Sequence, residues 1–142
     1  KPVVLNSLVD LNGLEDDSIR FYSGTMVYSH EFELDSNSQP DKIFIDLGGV
    51  SVIARVKING KLAGSLWMEP WTLKIGHLLK SGKNLVEIEI ANLWRNRLIL
   101  DSRLPIGDRY TSTLISDFRG DEKPPSSGLC GPVTLKTETQ TD

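Results

Sequence analysis

The stretch VSVIARVKINGKLAGSLW, residues 50–67, carries the decision about how this chain folds. Val50, Val52, Ala54, Val56 and Ile58 fall on one side of an extended backbone, while Ser51, Arg55 and Lys57 fall on the other. A two-residue period of this kind marks a strand with one buried face, and only Ile53 breaks it. Asn59-Gly60 then supplies two residues that tolerate positive φ, the requirement of a tight hairpin turn. KLAGSLW (61–67) is therefore predicted to return as the next strand. Working outward, the same period recurs. In TMVYSHEFELD (25–35), Met26, Tyr28, His30, Phe32 and Leu34 share one face, with Ser29, Glu31, Glu33 and Asp35 opposite. IFIDLG (43–48) turns Ile43, Ile45 and Leu47 inward, and LVEIEIA (85–91) does so with Val86, Ile88 and Ile90. GPVTLKTET (131–139) reads as the last strand, entered through the turn-rich PPSSGLCG; SNSQPDK (36–42) and SGKN (81–84) read as turns. Only WTLKIGHLLKSG (71–82) is predicted to hold a helical turn. Many short strands separated by turn signals, with almost no helix, predict an all-β sandwich.

Bulk properties narrow the function classes. A length of 142 residues suits one domain with a core of its own. Hydrophobic residues at 39% and charged residues at 25% are ordinary for a globular protein. A net charge of −3 and a pI of 5.4 supply no field toward nucleic acid or anionic lipid, so neither is an expected partner. Cys130 stands alone, which excludes an intrachain disulfide, and with only His30 and His77 it cannot close a zinc site without carboxylates. No apolar run approaches the roughly 20 residues that span a bilayer. The opening KPVVLNSLVDLNG is unlike a signal peptide and reads as the interior of a longer protein.

Four blocks, in order, resemble a known family. YSGTMVYSHEFEL (22–34) is similar to the opening strands of the galactose-binding-like β-sandwich of glycoside hydrolases. IDLGGVSVIARVKINGKLAGSLWMEPWTLKI (45–75) resembles its middle, GKNLVEIEIANLWRNRLILDSRLP (82–105) a following segment, and SGLCGPVTL (127–135) its terminal strand. The resemblance covers residues 19–136. It is best to the C-terminal sandwich of bacterial enzymes similar to family-106 α-L-rhamnosidases, and looser to the sugar-binding domain of family-2 enzymes. One position departs from the pattern: Leu100 stands where the family often has Gly, so the turn after Asn96 is expected to be shaped differently. The resemblance implies a jelly-roll sandwich over 19–138, preceded by a lead-in of residues 1–18 and followed by a tail of 139–142. It also implies an accessory role beside a catalytic domain of the same polypeptide, in a secreted or periplasmic enzyme of polysaccharide degradation.

The site chemistry is read from residue types. Glycosidases use two carboxyls facing each other across a cleft. Glu31 with Glu33, and Glu87 with Glu89, have permissive spacing, but both pairs lie on the outward strand face, so no catalytic residue is assigned. Carbohydrate binding needs an aromatic plate for the C–H face of a sugar and planar polar groups for its hydroxyls. Trp67, Trp71, Trp94 and Tyr110 supply the first; Asn92, Asn96, Arg97, Asp101 and Arg109 supply the second. The same residues also suit an interdomain contact. NLWRNRLILD (92–101) fits a sugar cleft, or a strand end that anchors the long 102–127 segment through a pair between Arg97 and Asp101; the second reading is preferred. No cofactor is expected beyond a structural calcium, for which LEDDS (14–18) and DSNSQPD (35–41) would supply oxygens. Three functions stand: an accessory domain packed on its enzyme, an independent carbohydrate-binding module, and a purely structural or protein-interaction sandwich.

Overall fold

Alternation along the chain becomes two facing layers in the computed structural model, which describes residues 3–35, 42–114 and 121–137. The described strands are β1 (Thr25–Leu34), β2 (Ile43–Asp46), β3 (Gly49–Val50), β4 (Ile53–Ile58), β5 (Lys61–Leu66), β6 (Thr72–Lys74), β7 (Gly82–Ala91), β8 (Leu129–Gly131) and β9 (Thr134–Thr137). One layer is a four-stranded antiparallel sheet in the order β1-β7-β4-β5. A three-stranded sheet, β6-β2-β9, and a two-stranded ribbon, β3-β8, make the other strand pairings. The fold is all-β, as the alternation predicts.

Register explains the core. Val56 lies opposite Ile88 and Ile58 opposite Val86, so inward side chains of β4 and β7 meet side by side. Ile43, Ile45 and Leu47 close over them from the other layer, and Ile75 and Leu129 complete one buried cluster. Each fully buried aliphatic of this kind contributes roughly 1.5–3 kcal/mol. Tyr28, Phe32 and Leu34 of the edge strand β1 are only partly buried against the cluster, and His30, expected inward, is exposed.

The hairpin forms where Asn-Gly requires it: Asn59 has φ 52° and Gly60 φ 78°. The register shifts after Val56, which leaves Ala63 as the extra residue of a bulge in β5. Asn59 does more than turn. Its Oδ1 accepts from Leu85 N (3.0 Å), and its Nδ2 donates to Leu78 O (3.0 Å) and to Asn84 Oδ1 (2.9 Å). The hairpin is thereby tied to the turn that opens β7.

Several expectations are corrected. β4 begins at Ile53; Val52 lies in a bend, and Val50 belongs to β3, paired with Leu129. The last strand divides into β8 and β9 around Pro132, whose missing N–H cannot serve a ladder. Residues 71–82 do contain a short 3-10 turn, Gly76–Leu78, but helix is not confined there. Helices α1 (Asp17–Arg20) and α2 (Arg95–Ser102) lie outside the segment expected to hold one. The lead-in 1–18 contributes to the interior: Leu11 is buried, its N–H donates to Ser127 O (3.1 Å), and Asp10 Oδ1 accepts from Ser127 N (3.1 Å). Most of the 35–41 tract and the tail 139–142 lie outside the described residues.

Candidate functional site

NLWRNRLILD resolves into the end of β7 and the helix α2. β7 stops at Ala91, and Asn92 acts as a clasp: its Oδ1 accepts from Gly128 N (2.9 Å) and its Nδ2 donates to Tyr22 O (3.5 Å). Leu100, where the family often has Gly, sits within the helix, where Leu is favoured and Gly is not. The helix is what shapes the segment after Asn96.

Two of the polar candidates on α2, Arg97 and Asp101, are committed to each other and to the chain that follows. Asp101, buried, accepts from Thr111 N (2.8 Å) and from the Thr111 hydroxyl, and it pairs with Arg97 at 2.7 Å. The Arg97 guanidinium also lies 4.2 Å from the centre of the Tyr110 ring. Arg109 donates to Leu104 O (2.9 Å), Arg103 donates to Glu122 O (3.0 Å), and Arg95 pairs with the Glu122 carboxylate. Burial raises the Asp101 pKa, but hydrogen bonds from Thr111 and Arg97 outweigh it and hold the carboxyl below its usual range. The expected Arg97–Asp101 pair is therefore present, with the two residues one helical turn apart. Asn96 is fully buried, and among the described residues neither end of its amide has a hydrogen-bond partner.

The aromatic candidates do not converge. Trp67 is 72% exposed at the end of β5, Trp94 is 73% exposed before α2, and Tyr110 is 86% exposed on its loop. Trp71 alone packs partly against the core, and its carbonyl accepts from Leu47 N (2.9 Å). Two concavities enclose some of the candidates. An open groove of about 530 Å3 is lined by Trp71 with Asp46, Gly48, Glu69, Pro70 and Thr72. A narrower cleft of about 240 Å3 joins Arg97 and Tyr110 to Asp17, Ser18, Phe21, Tyr22 and Ser23. Sequence reasoning missed the contribution of 17–23. The only local signal was Asp16-x-Ser18, which forms the cap of α1: Asp16 Oδ1 accepts from Ser18 N (2.8 Å) and Ser18 Oγ (2.6 Å).

Glu89, Asp46 and Asp16 are not poised as general acids. A glycosidase general acid needs a carboxyl whose pKa is raised. Glu89 is instead held low by Lys57, which donates to it at 2.5 Å, with Arg55 adding to the effect from 3.5 Å. Asp46 is lowered by Lys136 and by Gly48 N (2.9 Å), and Asp16 by its Ser18 bonds. Glu89 is thus part of a cross-strand ion cluster rather than a freely solvated side chain. For calcium, the LEDDS turn fits poorly because Asp16 serves as a helix cap. Among the described residues no three His, Cys, Asp or Glu side chains group to hold a metal. Among the described residues no helix is long and apolar enough to cross a membrane.

Known proteins share this geometry. Residues 6–122 match the family described as glycosyl hydrolase 2 galactose-binding domain-like. A Formosa agariphila protein, provisionally named a beta-glucuronidase, is 38% identical over 158 residues, a match spanning 94% of this chain and 14% of that protein. The solved rhamnosidase from Novosphingobium sp. PP1Y superposes with a TM-score of 0.84 at 35% identity, over 92% of this chain and 12% of its own. Ruminococcus gnavus beta-glucuronidase superposes with a TM-score of 0.55 at 25% identity, over 63% of this chain and 16% of its own. The chain therefore spans only a small part of the length of each of these relatives.

Proposed function

This chain belongs to the glycosyl hydrolase 2 galactose-binding domain-like family, and from that premise we propose that it is a non-catalytic accessory domain of a larger bacterial glycoside hydrolase. In this reading the parent is secreted or periplasmic and of the α-L-rhamnosidase kind, and the domain packs on its catalytic domain. The observation that supports it is the commitment of α2. Arg97, Asp101 and Arg109 hold the adjoining loop through ion pairs, hydrogen bonds and a ring contact. Groups so engaged brace the loop against α2, and Asp101, tied to Thr111 and Arg97, is not free to protonate or attack a glycoside. The test compares the isolated chain with the full-length polypeptide on aryl α-L-rhamnosides and aryl β-D-glucuronides. Hydrolysis is expected from the full-length polypeptide alone. Turnover by the isolated chain that disappears in Glu31→Gln or Glu87→Gln would overturn the proposal.

A second reading, direct contact with carbohydrate, is favoured by one observation: the cleft between Tyr22, Arg97 and Tyr110 combines aromatic walls with a guanidinium. At about 240 Å3 it falls below the roughly 300–1,000 Å3 of complete ligand pockets, so it suits a single sugar unit whose remaining wall comes from elsewhere. Titration calorimetry of the isolated chain with rhamnose and with galactose tests it. Binding that Tyr110→Ala removes supports this contact, and absence of binding to either sugar removes it.

A further inference from the structure

The outward face of the four-stranded sheet changes character along its length. Toward the hairpin end, Glu89 of β7 is bridged to Lys57 and Arg55 of β4, a charged row suited to water. At the opposite end the registers align Thr25, Ala91 and Ile53 across three strands, and the pairing of Ala54 with Leu66 sets Trp67 beside Ile53. Here no charged side chain stands in the row. Ile53 is 44% exposed, next to the yet more open Trp67, and Met68, Leu93 and Trp94 continue the chain from the same strand ends with exposed side chains; Val27, 56% exposed, lies one row back, opposite Glu89. Ile53 is the residue that breaks the alternation in the sequence, and its side chain emerges in this row.

We propose that this apolar end of the outer sheet face is the surface on which another domain of the same polypeptide seats, with Ile53 and Trp67 at its centre. The inference rests on the accessory-domain reading above and assigns the face that the reading leaves open. Chemistry favours a protein partner over a glycan. Ile53, Leu93 and Met68 offer nothing to sugar hydroxyls, and Glu89, the carboxylate of the adjoining row, is already engaged by two cations. Scale agrees with this. Trp67, with roughly 150–250 Å2 of buriable surface, stands beside Ile53 and is followed by Met68, a run of adjoining apolar side chains rather than the single scattered exposure usual for a monomer. The matched relatives extend far beyond this domain, which makes up 12% of the similar rhamnosidase, so a large body in the same chain is the natural occupant.

Hydroxyl-radical footprinting of the isolated chain and of the full-length polypeptide, normalised to an added reporter peptide, tests the proposal. Trp67 and Met68 should be oxidised readily in the isolated chain, with a several-fold loss of rate in the full-length polypeptide. Equal oxidation of Trp67 in both would overturn it. So would an isolated chain that sediments as a dimer and becomes monomeric in Trp67→Asp, because the occupant is then a second copy. Glycan binding by the isolated chain that Trp67→Asp abolishes would overturn it as well. Whether the full-length polypeptide hydrolyses glycosides bears on the enzymatic reading alone; the footprint reports on the face in either case.

Discussion

Two buried asparagines stand in opposite circumstances. The Asn84 Oδ1 accepts from Lys80 N (3.0 Å) and Asn59 Nδ2 (2.9 Å), and its Nδ2 donates to Lys80 O (2.7 Å) and Gly82 O (2.9 Å). Asn96, equally buried, makes no such bond among the described residues. Removing a satisfied amide strands its partners, whereas removing an unsatisfied one relieves a desolvated dipole. Asn84→Ala is therefore expected to destabilise the chain by about 2–4 kcal/mol, and Asn96→Ala by less than about 1 kcal/mol, the residue of a small cavity offset by that relief. Urea unfolding midpoints of the two variants check this, and equal losses would mean that Asn96 is satisfied after all. Neither state was legible in the sequence. Asn84 reads there only as part of a turn, and its partner Asn59 only as half of a hairpin, because the bond between them crosses 25 positions. The tryptophans show the same limit: residue type names an aromatic plate, but burial is decided by strands distant in the chain.

Among the elements, β2, β4 and β7 follow closely from the alternation, since each buries one face of a sheet against the other layer and their inward residues are those of the core. Helix α2 was hidden for a physical reason. Its buried side includes Asn96 and Asp101 together with Leu98 and Ile99, so no clean apolar stripe marks a helical period. The Arg97–Asp101 spacing of four was the available signal. That pair yields a prediction with a definite sign. Asp101 has a folded-state pKa below its unfolded value of about 3.9. Its stabilisation is thus fully present above that pH and is lost as pH falls through the folded-state value. Asp101→Asn should cost about 1–3 kcal/mol at pH 7, through weakened bonds to Thr111 and Arg97. The gap from the unsubstituted chain should close on acidification below about pH 4. Urea titrations from pH 7 to pH 3 measure it, and a gap that persists unchanged at pH 3 would show that the carboxylate charge contributes nothing to the anchor.

At the scale of the whole molecule, the sandwich was expected to begin at residue 19, yet the family match begins at residue 6 and the chain before residue 19 is built into the sandwich. Leu11 is buried, and a Cβ added at Gly128 would lie 2.7 Å from its Cδ1, so the two are in close contact. Leu8 packs on the main core, and Asp10 and Leu11 hold both backbone groups of Ser127. Asn12 Nδ2 adds a bond to Pro124 O (3.3 Å). These ties cross the full length of the chain and fix the stretch that leads into β8. A shortened protein beginning at residue 19 would lose the burial of Leu11, worth about 2–5 kcal/mol. It would also leave the buried Ser127 N–H and C=O without protein partners, at about 1–3 kcal/mol each. Against a total stability of about 5–15 kcal/mol, such a loss removes most of the margin. Residues 19–142 are accordingly expected to show a much lower urea midpoint than residues 1–142, or no cooperative transition at all. If the two unfolded together, the hydrogen bonds at Ser127 would be dispensable, and the lead-in would be a strap laid over a sandwich already complete without it.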